Sequence, residues 1–152
     1  MKELKKSLKR IIVNYYQGQF YLLGEIQLPP IYAWCEVPPI FESPDNDREK
    51  LTQAMESARL VSKSKEQVND TDLNPKQFSK EQEKILDHAS KIWSICWEED
   101  GEVSIVSWEQ FPKSETVTYK GKAWRPIKDS EVVFHSPVSN SDLAQWLIQQ
   151  TK

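Results

Sequence analysis

The sequence predicts one α+β domain over residues 1–152, with a largely antiparallel sheet and about three helices. Short runs in which apolar residues alternate are typical of strands that bury one face. Two apolar runs, one in each half of the chain, end in Ser-Pro and lead into an amphipathic stretch. Because strands dominate and the helices are interspersed among them, this order favours α+β over a doubly wound sheet.

The pattern at the N-terminus allows two structures for the first residues and predicts a hairpin after them. Leu4 and Leu8 have helical spacing, which predicts either a short helix or a frayed tail. From Ile11 the period changes to two, and a second alternating run resumes after residues 17–19. This pattern predicts a hairpin, which Pro29-Pro30 ends.

The next strand is predicted to be short and to lie at a sheet edge. It contains Trp34 and is followed by Pro38-Pro39, and proline cannot donate to a central ladder. After the first Ser-Pro pair, a helix is expected to begin between residues 45 and 47 and to end at Arg59 or beyond. Residues 62–75 show no apolar period, so we expect a ragged helical extension or a mobile loop.

A second helix has a clear start signal. Ser79 and Gln82 match a capping box, in which each side chain binds the other residue's backbone N–H. Ile85, Ala89 and Ile92 then fall on one helical face. The pattern predicts a helix that buries this face.

The strongest strand signal is a hairpin with a tight Asp100-Gly101 turn. Glycine accepts the positive φ that such a turn requires. The alternating positions are Trp93, Ile95 and Trp97 before the turn and Val103, Ile105 and Ser107 after it. The first three are predicted to bury one face of the strand.

The last third of the chain predicts two further strands and a terminal helix. Residues 113–122 are polar and are expected to form a long connection, with a weak strand at 116–119. Later strands are expected at 123–124 and 131–134, and the helix begins near Ser139, which forms a capping pair with Asp142.

Composition limits the classes of partner. The net charge is −3, which argues against nucleic acid, because binding to phosphates depends on clustered Lys and Arg. No apolar run has the length of a membrane span or signal peptide. We therefore expect a cytoplasmic protein with reduced thiols, although a disulfide between Cys35 and Cys96 is left open.

No set of reactive residues stands out in the sequence. The two histidines, His88 and His135, have no metal-ligand neighbour at a recognised spacing. Both cysteines are followed by acidic residues, which disfavour a nucleophilic thiolate. Gly-rich phosphate loops and nucleophile elbows are missing from the sequence. We therefore expect no catalytic residues, no metal and no cofactor.

Two features are candidates for binding another protein. The first is the acidic hairpin tip. Its simplest interpretation is a solvated turn, and its functional interpretation is an acidic patch that binds a basic partner. The second is a pair of tryptophans, because large aromatics are common interface anchors. The candidate residues are Glu98, Glu99, Asp100, Glu102, Trp108 and Trp124.

The order of elements resembles that of immunity proteins from bacterial contact-dependent growth inhibition systems, the CdiI-like family. The resemblance lies in the strand and proline stretch before the helix at 47–59, in the hairpin at 93–108, and in Phe134-His135-Ser136-Pro137 before the last helix. It implies a small cytoplasmic protein that binds and neutralises a cognate toxin. It also implies that the toxin is the C-terminal domain of a large exoprotein, often a nuclease, whose active site is covered.

The sequence thus predicts a non-enzymatic inhibitor of a toxin. Two alternatives stay open: an interaction or regulatory module of another system, and an enzyme whose site is assembled from dispersed Asp, Glu and His. A large toxin gene directly upstream would distinguish the first prediction from the others.

Overall fold

A computed structural model describes residues 6–110, 124–135 and 137–152. These residues form one α+β domain with an eight-stranded sheet, three α-helices and a short 3-10 helix at Asp70–Leu73, so the predicted fold class is confirmed. The strands are β1 (Ser7–Tyr16), β2 (Gln19–Leu28), β3 (Ala33–Glu36), β4 (Phe41–Pro44), β5 (Lys91–Glu98), β6 (Val103–Gln110), β7 (Trp124–Pro126) and β8 (Val132–Phe134). The α-helices are α1 (Arg48–Val61), α2 (Lys80–Asp87) and α3 (Asn140–Gln149).

The named strands pair in an antiparallel sheet. The main order is β3-β2-β1-β5-β6-β7. On its outer side, β2 pairs with β3 along its second part and with β4 along its first part. In the same way, β6 pairs with β7 along its second part and with β8 along its first. As predicted, the strand with Trp34, β3, lies at an edge of the sheet.

The repeated Ser-Pro pattern is part of a larger internal repeat. The first half (β1 to β4 and α1) and the second half (β5 to β8 and α3) each contain a hairpin, two short strands on the outer side of that hairpin, and a helix. The halves meet where β1 pairs antiparallel with β5. An approximate twofold axis perpendicular to the sheet, between β1 and β5, therefore relates the two connectivities.

One sheet face and two helices form the core. We call this side of the sheet the helix face, because α1 and α3 pack against it, and the opposite side the far face. The central buried residues are Ile11, Val13, Phe20, Leu22, Trp93, Ile95, Trp97, Val103 and Ile105 from the strands and Leu51, Met55, Ala58, Leu143, Ala144 and Leu147 from the helices. Trp93, Ile95 and Trp97 are buried, as the alternation predicts.

The helix starts agree with the predicted caps. The Asp47 side chain accepts a hydrogen bond from the Lys50 backbone N–H at 2.9 Å, so α1 begins within the expected region. Complete capping boxes pair Ser79 with Gln82 and Ser139 with Asp142. These side chains satisfy backbone donors that have no partner within the helix.

The C-terminal end of α1 is fixed to the sheet. The Lys9 ammonium group donates to the carbonyl oxygens of Arg59 and Ser62, at 3.0 and 2.8 Å. The Ser62 hydroxyl group accepts from the Arg10 N–H at 2.7 Å and donates to the Glu25 carbonyl at 2.9 Å, so it lies between β1 and β2. Such bonds satisfy helix carbonyls that would otherwise lack a partner.

Two local predictions were wrong. The chain around Leu8 is part of β1 rather than a helix or a tail, whereas Leu4 lies outside the described residues. The helix α2 ends at Asp87, and Ile92 belongs to β5, so the predicted apolar face does not exist. Pairing with β1 over most of β5 outweighs the local helical spacing.

Residues 62–75 do not extend α1, which ends at Val61; they form a loop that contains one bridge to β2 and the 3-10 helix. The Lys63 backbone N–H donates to the Glu25 carbonyl, and the Lys63 carbonyl accepts from Gln27, so the chain continues along β2. The 3-10 helix follows. The predicted strand at 116–119 and the connection at 113–122 lie outside the described residues.

Candidate functional site

The acidic turn between β5 and β6 is held by backbone hydrogen bonds. The Glu98 N–H donates to the Glu102 carbonyl at 2.9 Å, and the Gly101 N–H donates to the Glu98 carbonyl at 3.0 Å. The Asp100 carboxylate accepts from the Glu102 N–H at 3.0 Å, and the Glu99 N–H donates to the Lys6 carbonyl at 2.9 Å. Gly101 has a φ of 88°, which suits glycine. The turn therefore has a well-defined backbone, on which Glu99 and Asp100 are exposed and Glu98 and Glu102 are half-buried.

The carboxylates of this turn have different surroundings. Glu98 accepts a hydrogen bond from the Ser7 hydroxyl group at 3.0 Å. Glu102 contacts His135, which follows β8. Glu99 is exposed, and its carboxylate has no hydrogen-bond or ion-pair partner among the described residues. Glu99 is thus the member of the cluster that is best placed to meet a partner.

Trp108 and Trp124 lie at the other end of the β5–β6 hairpin. Both are half-buried on the far face, where Trp124 is paired with Gln110 and Trp108 with Pro126. The indole N–H of Trp108 donates to the Ser94 hydroxyl group at 2.9 Å. Trp108 is five residues along β6 from its first residue, Val103, which corresponds to about 17 Å from the end that carries the acidic turn. The predicted binding residues therefore form two separate groups.

The far face carries a row of polar side chains that sequence reasoning did not identify. The register places Glu36, Glu25, Arg10, Cys96 and Ser104 side by side across five strands. The Arg10 Nε atom lies 2.8 Å from a carboxylate oxygen of Glu25, which is only 4% exposed. The sequence alone does not show that these residues are neighbours, because they are distant in the chain and only the strand register brings them together.

Burial alters the chemistry of this row. It raises the pKa of Glu25 from 4.5 to about 7, and the nearby Arg10 guanidinium opposes part of this rise. This rise moves the titration of the Glu25 carboxyl group towards neutral pH. Burial also raises the pKa of the Cys96 thiol to about 11, which makes it a poor nucleophile.

The structure answers the open question of a disulfide. Cys35 pairs with Ile26 and belongs to the helix face, whereas Cys96 pairs with Arg10 and belongs to the far face. The two strands are three positions apart in the sheet, which corresponds to about 14 Å. Because a disulfide requires Cα atoms within about 7 Å, these cysteines do not pair in this fold.

The two histidines lie in separate places. His88 ends α2, and its Nδ1 atom is 2.7 Å from the Lys84 carbonyl. His135 lies beside Glu102 at the hairpin tip. No group of three or more His, Cys, Asp or Glu side chains within residues 6–110, 124–135 and 137–152 is arranged to hold a metal ion.

A second region at the hairpin-tip end of the sheet was missed. The loop between β2 and β3, at residues 29–32, presents Ile31 with 82% exposure and Tyr32 with 43%. The sequence signal was two large apolar residues directly after Pro29-Pro30 and before an edge strand. The strand register places this loop at the same end of the sheet as the acidic turn.

A groove opens on the described surface near Ile26 and Val37. It has a volume of about 860 Å³ and runs between the end of α1, the Pro38-Pro39 segment and the connection to α2. The Lys63 ammonium group binds the Asp72 carboxylate at 3.0 Å on its rim.

Among the described helices, none has the length and apolar character needed to cross a membrane.

Comparison with known proteins identifies a similar fold in a protein of unknown function. A scan against protein-family models finds no match, and a search of the curated proteins also finds none. Among solved structures, the chain is similar to a "Protein of Unknown Function NMB0488" from Neisseria meningitidis. The TM-score is 0.61 and the sequence identity 13%, over 99% of each chain. At this identity, the similarity shows the fold alone.

Proposed function

We propose that this protein is an immunity protein that binds and neutralises a cognate bacterial toxin domain in the cytoplasm. The observation that carries the proposal is the acidic β5–β6 turn, whose backbone is fixed and whose Glu99 side chain is exposed. A nuclease toxin needs a basic cleft to bind phosphates. Exposed carboxylates on a turn with a fixed backbone suit such a cleft, since they speed association and are attracted to its Lys and Arg side chains.

Binding without catalysis agrees with the chemistry of the described side chains. The Cys96 thiol has a raised pKa, and the described contacts of His88 and His135 are with the Lys84 carbonyl and the Tyr16 ring and with the Glu102 carboxylate, respectively. A general base acts only within hydrogen-bond reach of the proton that it removes. Inhibition by covering an active site needs no such arrangement, because it depends on complementary surfaces.

The proposal is tested with the toxin domain encoded beside the gene for this protein. The unaltered chain should protect cells that express that domain and should bind it in titration calorimetry. Glu99→Lys should weaken the Kd by about tenfold at low salt and by less at raised salt, because salt screens exposed charges. Glu99 is preferred to Asp100, whose carboxylate also stabilises the turn.

Glu56→Lys is the matched control for this substitution. Glu56 is exposed in the middle of α1, and its replacement changes the net charge by the same amount at a different surface. Equal weakening by both variants would contradict a specific role for the acidic turn. Failure of the unaltered chain to bind or protect would reject the immunity function itself.

A further inference from the structure

Exposed apolar side chains concentrate at one end of the sheet. We call this the tip end: it comprises the 29–32 loop, Leu8 at the start of β1 and the 99–102 turn. The described residues include six large apolar side chains that are exposed, namely Leu8, Ile31, Tyr32, Leu60, Leu73 and Ile127. Three belong to the tip end, one lies on the last turn of α1, and one lies on the 3-10 helix. Ile127 lies next to Ser107.

The loop that carries Ile31 is held in place by polar bonds. The Gln27 side-chain amide donates to the Tyr32 carbonyl at 3.1 Å, and its oxygen accepts from the Lys65 N–H at 2.9 Å. Tyr32 has a φ of 54°, in the left-handed region that bulky residues rarely adopt. Backbone strain of this kind, about 1–3 kcal/mol, persists where surrounding contacts enforce it and often marks functional loops. The backbone of this loop therefore needs little ordering when the loop binds.

The apolar loop and the acidic turn have the spacing of one interface. Between them lies β1 with the exposed Leu8, and the two loops are three strand spacings apart, or about 14 Å. A standard interface buries about 800 Å² on each partner, an area wide enough to include both loops. Such interfaces combine a central apolar anchor with a charged rim.

We propose that the tip end is the surface that docks the toxin, and that Ile31 and Tyr32 enter an apolar pocket beside its basic cleft. The inference rests on the proposed immunity function and adds a second contact to it. The partner surface must carry an apolar pocket about 14 Å from a cluster of Lys or Arg side chains. Trp108 and Trp124, at the opposite end of the hairpin, lie outside this interface.

The test compares two exposed isoleucines. Ile31→Ser and Ile127→Ser both remove an exposed branched side chain, at 82% and 37% exposure. Their affinities for the toxin domain encoded by the adjoining gene would be measured by titration calorimetry, together with their melting midpoints. Ile31→Ser should weaken the Kd at least tenfold, and Ile127→Ser less than twofold. Both melting midpoints should stay close to that of the unaltered chain.

Each outcome decides between the two proposals. Unchanged affinity of Ile31→Ser for a toxin that the unaltered chain binds would overturn the docking surface and leave the immunity function intact. A toxin that the unaltered chain does not bind would overturn both. Sedimentation of the free chain supplies a second readout. A dimer that Ile31→Ser dissociates would assign the tip end to self-association and overturn the docking proposal.

Discussion

In the first half of the chain the helix is fixed directly to its own hairpin, whereas in the second half the helix is held mainly by the other helix. The end of α1 is bound by Lys9 and is continuous with Ser62, whose hydroxyl group lies between β1 and β2. By contrast, α3 receives hydrogen bonds from Arg48 and Arg59 of α1. The same order of elements therefore tolerates two modes of attachment, and the first half sets the stricter limits on sequence.

A pair of equivalent lysines makes this comparison concrete. Lys9 lies near the start of β1, and Lys91 at the start of β5. Each ammonium group donates to carbonyl oxygens at the end of the helix in its own half: Lys9 to two of them, and Lys91 to the Gln150 carbonyl at 2.9 Å. The bond is conserved between the halves, but Lys9 is half-buried and Lys91 is exposed.

The largest effect is expected where the two halves meet. Ile11 and Ile95 are paired across the β1·β5 ladder, and both are fully buried. Replacement of either by Ala should lower the free energy of unfolding by about 2–5 kcal/mol, because it leaves a cavity in the core. Urea denaturation measures both. A loss in only one variant would show that the two halves do not share one core.

A smaller and unequal effect is expected at Gly24 of β2 and Ser107 of β6, which both lie on the helix face. A Cβ atom at Gly24 would lie 2.5 Å from the Ala58 carbonyl oxygen, so α1 would have to move away from β2. Gly24→Ala should therefore cost about 1–3 kcal/mol. Ser107→Ala should cost less than about 1 kcal/mol, since that position already carries a Cβ atom. Equal losses in thermal or urea unfolding would contradict the difference in helix attachment.

The smallest effect is expected at the two lysines. Lys9→Met keeps the aliphatic stem but removes two charged hydrogen bonds to the end of α1, and should cost about 1–2 kcal/mol. Lys91→Met removes one exposed bond and should cost less than about 0.5 kcal/mol. Chemical denaturation at low salt would compare the two. A larger loss of stability for Lys91→Met would show that the second half of the chain, not the first, depends more on the attachment of its helix.

Local signals in the sequence were sufficient for many of the elements. The Asp100-Gly101 turn, the Ser79 and Ser139 capping boxes and the edge position of Trp34 each depend on residues that are close in sequence. These patterns act through nearby backbone groups, so the sequence contains the necessary information. The same holds for the alternation that buries Ile95.

Features that depend on strand register could not be predicted from the sequence. Arg10 and Glu25 become neighbours only when β1 pairs with β2, and Leu8 becomes part of a strand through the β1·β2·β5 sheet. The continuation of Lys63 along β2 follows from the close approach of α1. For the candidate site, the acidic turn was visible as a charge cluster. The position of Ile31 beside it depended on the same register.

The central ladder between β1 and β5 has a consequence for the folding pathway. It joins residues far apart in the chain, since Ser7 and Glu98 are separated by 91 positions. The β1–β2 and β5–β6 hairpins need only short loops, so they close at a much smaller entropic cost. The step that limits the folding rate should therefore be the meeting of two preformed hairpins. Until they meet, β1 and β5 each present an unpaired edge, which is when the newly made chain is most prone to aggregation.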